Sequence, residues 1–99
     1  MATGGTKYDS GKSRMDLIPT EVLVGMGDVL GFGAGKYGDH NWRQGIKHSR
    51  LYAAAMRHLT AHWSGETKDP ESGLDHLAHA ATNLAMMIAS PDHDDRYKG

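Results

Sequence analysis

Seven histidines stand among 99 residues that include no cysteine, and four of those histidines fall where two helices would meet. His58 and His62 are four apart and so share one helical face. His76, His79 and Asn83 fall within about 60° of one another at roughly 100° per residue. Between the two sets lies an acidic link carrying Glu66, Asp69 and Glu71. Imidazoles and carboxylates together are the donors a divalent metal takes, with Mg2+ preferring oxygen and Mn2+ or Fe accepting nitrogen. One His pair would read more simply as an interface hydrogen-bonded without metal. Four imidazoles with three or four acids on adjoining helices point to a site.

A second polar set brackets the first helical segment. Lys7, Asp9, Lys12 and Arg14 precede it, and Lys36, Tyr37, Asn41, Trp42 and Arg43 follow it. Cations with a stacking ring suit a nucleotide, whose phosphates need Lys or Arg and whose base takes an aromatic face. Singly, the cations read as solvated surface and Trp42 as core. Their crowding into two segments without apolar periodicity shifts the reading toward a ligand. Two glycine motifs are turned down. Gly11-Lys12-Ser13 has the end of a P-loop but lacks the earlier glycine and the preceding strand. Gly33-Ala34-Gly35-Lys36-Tyr37-Gly38 matches G-x-G-x-x-G by letter, but a helix precedes it where a strand is required.

Three helices must position these groups. Thr20 is the N-cap candidate of the first, with Glu21 at its positive end. Val22, Leu23, Met26, Val29 and Leu30 give it helical spacing, and Gly31, Gly33 and Gly35 are expected to stop it. Ser49 is the cap candidate of a second helix from Arg50 to Trp63, ended by Gly65. Ser72 with Asp75 resembles a capping box for a third helix, which runs to about Ala89 and closes at Ser90-Pro91. Its apolar stripe is Leu77, Ala81, Leu84 and Ile88. No alternating Val/Ile/Thr stretch suggests a strand. The expected fold is therefore all-α, a single domain over residues 1–99, with an antiparallel hairpin of the second and third helices. Residues 1–13 read as a flexible arm and 91–99 as a frayed tail. Two hairpins from two chains would complete a four-helix bundle, so a homodimer or homotetramer is expected.

Composition narrows the function. Eleven basic against twelve acidic residues argue against a nucleic-acid binder, which is usually basic. The lack of cysteine excludes disulfides and thiol nucleophiles. No apolar run approaches the ~20 residues of a membrane span, and residues 1–5 show no signal-peptide core. A cytoplasmic protein without membrane or nucleic-acid partners is the expectation.

The strings KYDSGKSRMDLIP (7–19), FGAGKYGDHNW (32–42), RHLTAHWSGE (57–66) and DPESGLDHLAHAATNL (69–84) together resemble a phage family of dATP/dGTP diphosphohydrolases, related to the all-α NTP pyrophosphohydrolases of MazG type. The resemblance implies hydrolysis between the α- and β-phosphates of a purine deoxynucleotide, giving monophosphate and pyrophosphate with a divalent metal. It also implies a helical oligomer with composite sites, in the cytoplasm of the infected host. MazG-type enzymes carry E-x-x-E on one helix and E-x-x-D on the next. Here His58 lies near the first motif, and His76 and His79 occupy the positions of the second. Glu66-x-x-Asp69 has the letters but sits in a link containing Pro70.

The expected machinery follows. Metal, Mg2+ or Mn2+, is held by Asp69, Glu71, His76 or His79 together with His58. Arg57, His58 and His79 are the catalytic candidates. Lys12, Arg14, Lys36 and Arg57 neutralise the triphosphate, with Lys7 and Asp9 also on the substrate side. Trp42 or Tyr37 stacks on the base, and Asn41 or Asn83 reads its edge or the sugar. Two rivals stay open: an HD-type phosphohydrolase releasing triphosphate or phosphate, although the consecutive His-Asp pair is replaced by Asp75-His76, and a non-catalytic nucleotide-binding helical oligomer.

Overall fold

The computed structural model describes residues 11–96. Three α-helices carry the chain: α1 (Thr20–Tyr37), α2 (His48–Trp63) and α3 (His76–Ala89), with short 3-10 turns at Met15–Leu17, Asn41–Gln44 and Pro91–His93. No strand occurs among the described residues, where one isolated bridge joins Lys68 and Asp75. The all-α expectation therefore holds.

The α2–α3 hairpin is antiparallel, as its end contacts show. At one end the His48 ring bonds to the carbonyl of Ser90; at the other, His58 meets His76. Helix α3 also packs against α1, where a Cβ placed on Gly25 would stand 3.2 Å from that of Ala78. Small residues at this crossing let the two backbones come close. The apolar interior is thin: Leu51, Ala55 and Ala80 are buried, together with His76 and Thr82. Thr82 is reconciled with burial by donating its hydroxyl to the carbonyl of Ala78 at 2.8 Å.

Much of the apolar surface remains outside. Tyr52, Met56, Leu59 and Trp63 are exposed along α2, and Leu77, Leu84 and Ile88 along α3. The first set repeats at three and four residues and the second at seven and four, so each forms one stripe along its helix. Trp63 is 90% exposed and Ile88 82%, far more than an isolated fold needs to leave open.

Local boundaries differ from the sequence expectation at several points. Helix α1 continues through Gly31, Gly33 and Gly35 and ends where Gly38 takes φ +95°. Glycine lowers helix propensity but does not forbid the conformation. Neither Thr20 nor Ser49 caps through its side chain; Pro19 and Lys47 hold the cap positions. Ser49 instead receives Asp95, whose carboxylate accepts from its backbone N–H at 2.9 Å and from its hydroxyl at 2.6 Å. Residues 91–96 are thus docked on the start of α2 and not frayed. His93 seals the same end, its ring so close to Gly45 (φ +116°) that a Cβ there would collide with it. The flexible-arm reading of residues 1–13 lies mostly outside the described residues, as does the end of the tail at 97–99.

Candidate metal and nucleotide site

The link between α2 and α3 is an ordered loop that aims its acids. Asp69 donates its N–H to the carbonyl of Leu74 at 2.8 Å, and Gly73 donates back to Asp69 at 2.7 Å. The N–H of His76, one of the orphan donors of a helix start, is satisfied by the carbonyl of Thr67 at 2.9 Å. Lys68 and Asp75 pair at 3.2 Å across the bridge. These bonds pin Glu66, Asp69 and Ser72 beside the first turn of α3. Ser72 does not cap α3; the residue before the helix is Asp75, with no side-chain capping bond.

Three imidazoles gather against this loop. His58 and His76 face each other with their Nδ1 atoms 2.8 Å apart, and Nε2 of His76 lies 2.7 Å from a Glu66 carboxylate oxygen. The ring of His79 lies flat on that of His58, centroids 4.4 Å apart and planes 8° from parallel. Nε2 of His79 stands 2.7 Å from the hydroxyl of Ser72, while the backbone N–H of Ser72 donates to Asp69 at 2.9 Å.

Burial lowers the pKa of His58, reinforced by repulsion from His79 and His76 and only partly opposed by Asp69. Burial likewise lowers that of His79. Burial alone would raise the Asp69 carboxyl, but hydrogen bonds from Ser72 and the neighbouring imidazoles outweigh it and bring the pKa below the usual value. His58 thus favours its neutral ring beside an ionised Asp69, the protonation states that metal ligation requires.

His58, Asp69 and His76 each present a ligand atom, all within 4.8 Å of one another. Two imidazoles and one carboxylate suit Mn2+, Fe2+, Co2+ or Zn2+ better than the all-oxygen preference of Mg2+. Glu66 behind His76 is the kind of outer carboxylate that orients a ligating imidazole. The donor set therefore fits a divalent cation.

The other expected residues distribute around this centre. His79 adjoins the three-residue group, stacked on His58, but is not one of its members. Glu71 stands apart, paired at 2.7 Å with Lys36 from the end of α1. Arg57 is exposed on α2 next to His58, and His62 lies outside the group. Arg14 is bound by Asp16 at 2.8 Å near the start of the described chain, and Lys12 is exposed. Lys7 and Asp9 lie outside the described residues.

Beside the cluster opens a cavity of about 480 Å3, within the range of small-molecule sites. Helix α1 contributes Val29, Leu30, Phe32, Gly33, Ala34 and Tyr37. The following loop adds Asp39, His40, Asn41, Trp42 and Ile46, and Leu51, His79, Asn83 and Met86 close it from α2 and α3. Tyr37, Asn41, Trp42 and Asn83, separated in sequence, therefore line one cavity. The ring of Trp42 carries the Arg43 guanidinium at 4.5 Å, and Lys36 lies over Tyr37 at 5.1 Å. His79 belongs to both the cavity wall and the imidazole cluster.

Sequence reasoning left out Ser72, Asp39 and His40, and gave Glu66 no role of its own. Ser72 precedes His79 by seven residues through a loop, so no helical spacing announces their bond. His40 takes a left-handed φ of +57°, a local turn that periodicity does not register.

The chain matches the family model described as dATP/dGTP diphosphohydrolase, N-terminal, over residues 2–97. It is 38% identical over 96 residues to a Salmonella phage PMBT28 protein named dATP/dGTP diphosphohydrolase. The aligned region covers 93% of this chain and 33% of that relative, so the chain spans about a third of the relative's length. No solved structure matches.

Proposed function

The chain belongs to the dATP/dGTP diphosphohydrolase N-terminal family, and we propose that it hydrolyses purine deoxynucleoside triphosphates to the monophosphate and pyrophosphate with a divalent cation. One observation carries this reading: His79 lines the apolar, aromatic-edged cavity and stacks on His58 of the His58/Asp69/His76 group. A base in the cavity leaves its triphosphate beside the donor group.

Mn2+ is the cation the nitrogen donors favour over Mg2+. A bound ion supplies positive charge to the phosphate oxygens and acidifies water. The chain supplies the rest. Trp42 or Tyr37 stacks on the base, with Asn41 and Asn83 at its edge or the sugar. Lys36, which leaves Glu71 for a more highly charged partner, and Arg57 neutralise the phosphates as charge moves to the leaving pyrophosphate. His79, kept neutral by burial, takes a proton from the attacking water at Nδ1.

Incubating the protein with dATP, dGTP and other nucleotides plus Mg2+, Mn2+ or Co2+, and separating the products, tests the proposal. Monophosphate and pyrophosphate are expected. Release of triphosphate or phosphate would favour an HD-type reaction instead, and binding without turnover a nucleotide-binding oligomer. The exposed stripes of α2 and α3 further support a homodimer or homotetramer in which a second copy covers them, working in the cytoplasm of the infected cell. Light scattering at the monomer mass would refute the oligomer.

A further inference from the structure

The structure assigns to Ser72 the positioning of His79: its hydroxyl accepts the Nε2 proton of that ring and leaves Nδ1 bare for chemistry. Three distances meet at this residue. Its Oγ lies 2.7 Å from Nε2 of His79, and the same Oγ accepts the N–H of Leu74 at 3.1 Å. Its own N–H holds Asp69 at 2.9 Å. A hydroxyl oxygen has two acceptor lone pairs, enough for both Leu74 and the imidazole. No side-chain hydrogen bond reaches Nδ1 of His79 among the described residues.

The ring needs such an anchor. Stacking on His58 at 8° fixes the plane of His79 but leaves the half-turn of the ring about its Cβ–Cγ bond open. A single hydrogen bond at Nε2 removes that freedom, and with the Ser72 oxygen as its acceptor it keeps the ring proton on Nε2, as outer partners do for other working imidazoles. Because the backbone N–H of the same residue steadies Asp69, one loop residue sets the imidazole and the acid at a fixed separation. The side chain and the backbone do these two jobs independently, so they can be tested apart.

This inference rests on the reading of His79 as the proton acceptor in dNTP hydrolysis, and the experiment separates the two. In Ser72→Ala, kcat for dGTP is expected to fall on the order of 10- to 100-fold, with KM and Mn2+ affinity unchanged because the N–H to Asp69 survives. Ser72→Thr, which keeps the hydroxyl, is expected to restore kcat. Independently of activity, NMR of the ion-free protein at mildly alkaline pH should find the His79 proton on Nε2, exchanging slowly with water, and exchanging faster in Ser72→Ala. Circular dichroism checks the fold, and Ser72→Cys provides the comparison if the alanine variant unfolds.

Wild-type kcat in Ser72→Ala, failure of threonine to rescue, or a proton on Nδ1 in the wild type would overturn the assignment. If the wild type turns over no purine dNTP, the functional reading fails, and the exchange comparison still decides whether Ser72 holds the ring.

Discussion

His58 and His76 point their Nδ1 atoms at each other across 2.8 Å. Glu66 accepts from Nε2 of His76 at 2.7 Å, so a His76 ring with a single proton carries it on Nε2 and accepts at Nδ1. His58 must then donate from Nδ1, so the order of donation is His58 to His76 to Glu66. Ion binding through both Nδ1 atoms requires the His58 proton to leave that nitrogen, whereas His76 is already prepared.

Glu66 is therefore expected to matter more for ion affinity than its half-exposed position suggests. Glu66→Gln should weaken Mn2+ binding on the order of 10- to 100-fold while leaving helix content intact. Calorimetric titration reads this directly, and unchanged affinity would remove Glu66 from the site.

Glu71 offers the opposite contrast. It is exposed and tied to Lys36 at 2.7 Å, and solvent screening leaves such a pair little net weight in stability. Glu71→Ala should leave both stability and Mn2+ affinity near wild type. Lys36→Ala should raise KM for the nucleotide several-fold, because the same cation is expected on the phosphates. Loss of Mn2+ binding in Glu71→Ala would return that carboxylate to the ligand set.

Two glycines of α1 separate stability from function. A Cβ on Gly27 or Gly33 meets nothing within 4 Å, so alanine at either should stabilise the helix by roughly 0.5–1 kcal/mol. Only Gly33 lines the cavity. Gly33→Ala should raise KM while Gly27→Ala leaves it alone; equal kinetics for both would argue against nucleotide in this cavity. Chemical denaturation and steady-state kinetics together provide the comparison.

Acid should destabilise the ion-free protein through its histidines. The pKa of His58 and His79 is lowered from 6.5 on folding, so between 6.5 and the folded values the unfolded chain binds more protons. Stability is then full above pH 6.5 and declines as pH falls through the depressed pKa values. The double variant His58→Gln/His79→Gln should flatten this part of the stability–pH profile. A slope as steep as wild type would place its origin elsewhere.

Much of this site was legible because helices repeat. The spacing of His58, His76, His79 and Asn83, with a link short enough to force a hairpin, brought the imidazoles together before any coordinates did. Of the loop-borne parts, Asp69 was a named candidate on the acidic link, while the bonds that give Glu66 and Ser72 their places were not legible. Asp69, Glu66 and Ser72 acquire their roles through the bridge between Lys68 and Asp75 and through backbone bonds such as Thr67 to His76, none of which has a residue signature. The docking of Asp95 onto Ser49 was hidden for the same reason, since charged terminal residues ordinarily read as solvated. Helix α1 outran its glycines because glycine lowers helix propensity by about 1 kcal/mol per residue without forbidding the conformation.

The central claim is that imidazoles and an acid from α2, α3 and their link hold one cation at the edge of the nucleotide cavity. Anomalous diffraction from crystals grown with Mn2+ tests it most directly. The account predicts a single strong peak bonded to His58, Asp69 and His76, lost in His76→Ala. A peak on other residues, with His58 still hydrogen-bonded to His76 and Asp69 to the N–H of Ser72, would contradict it.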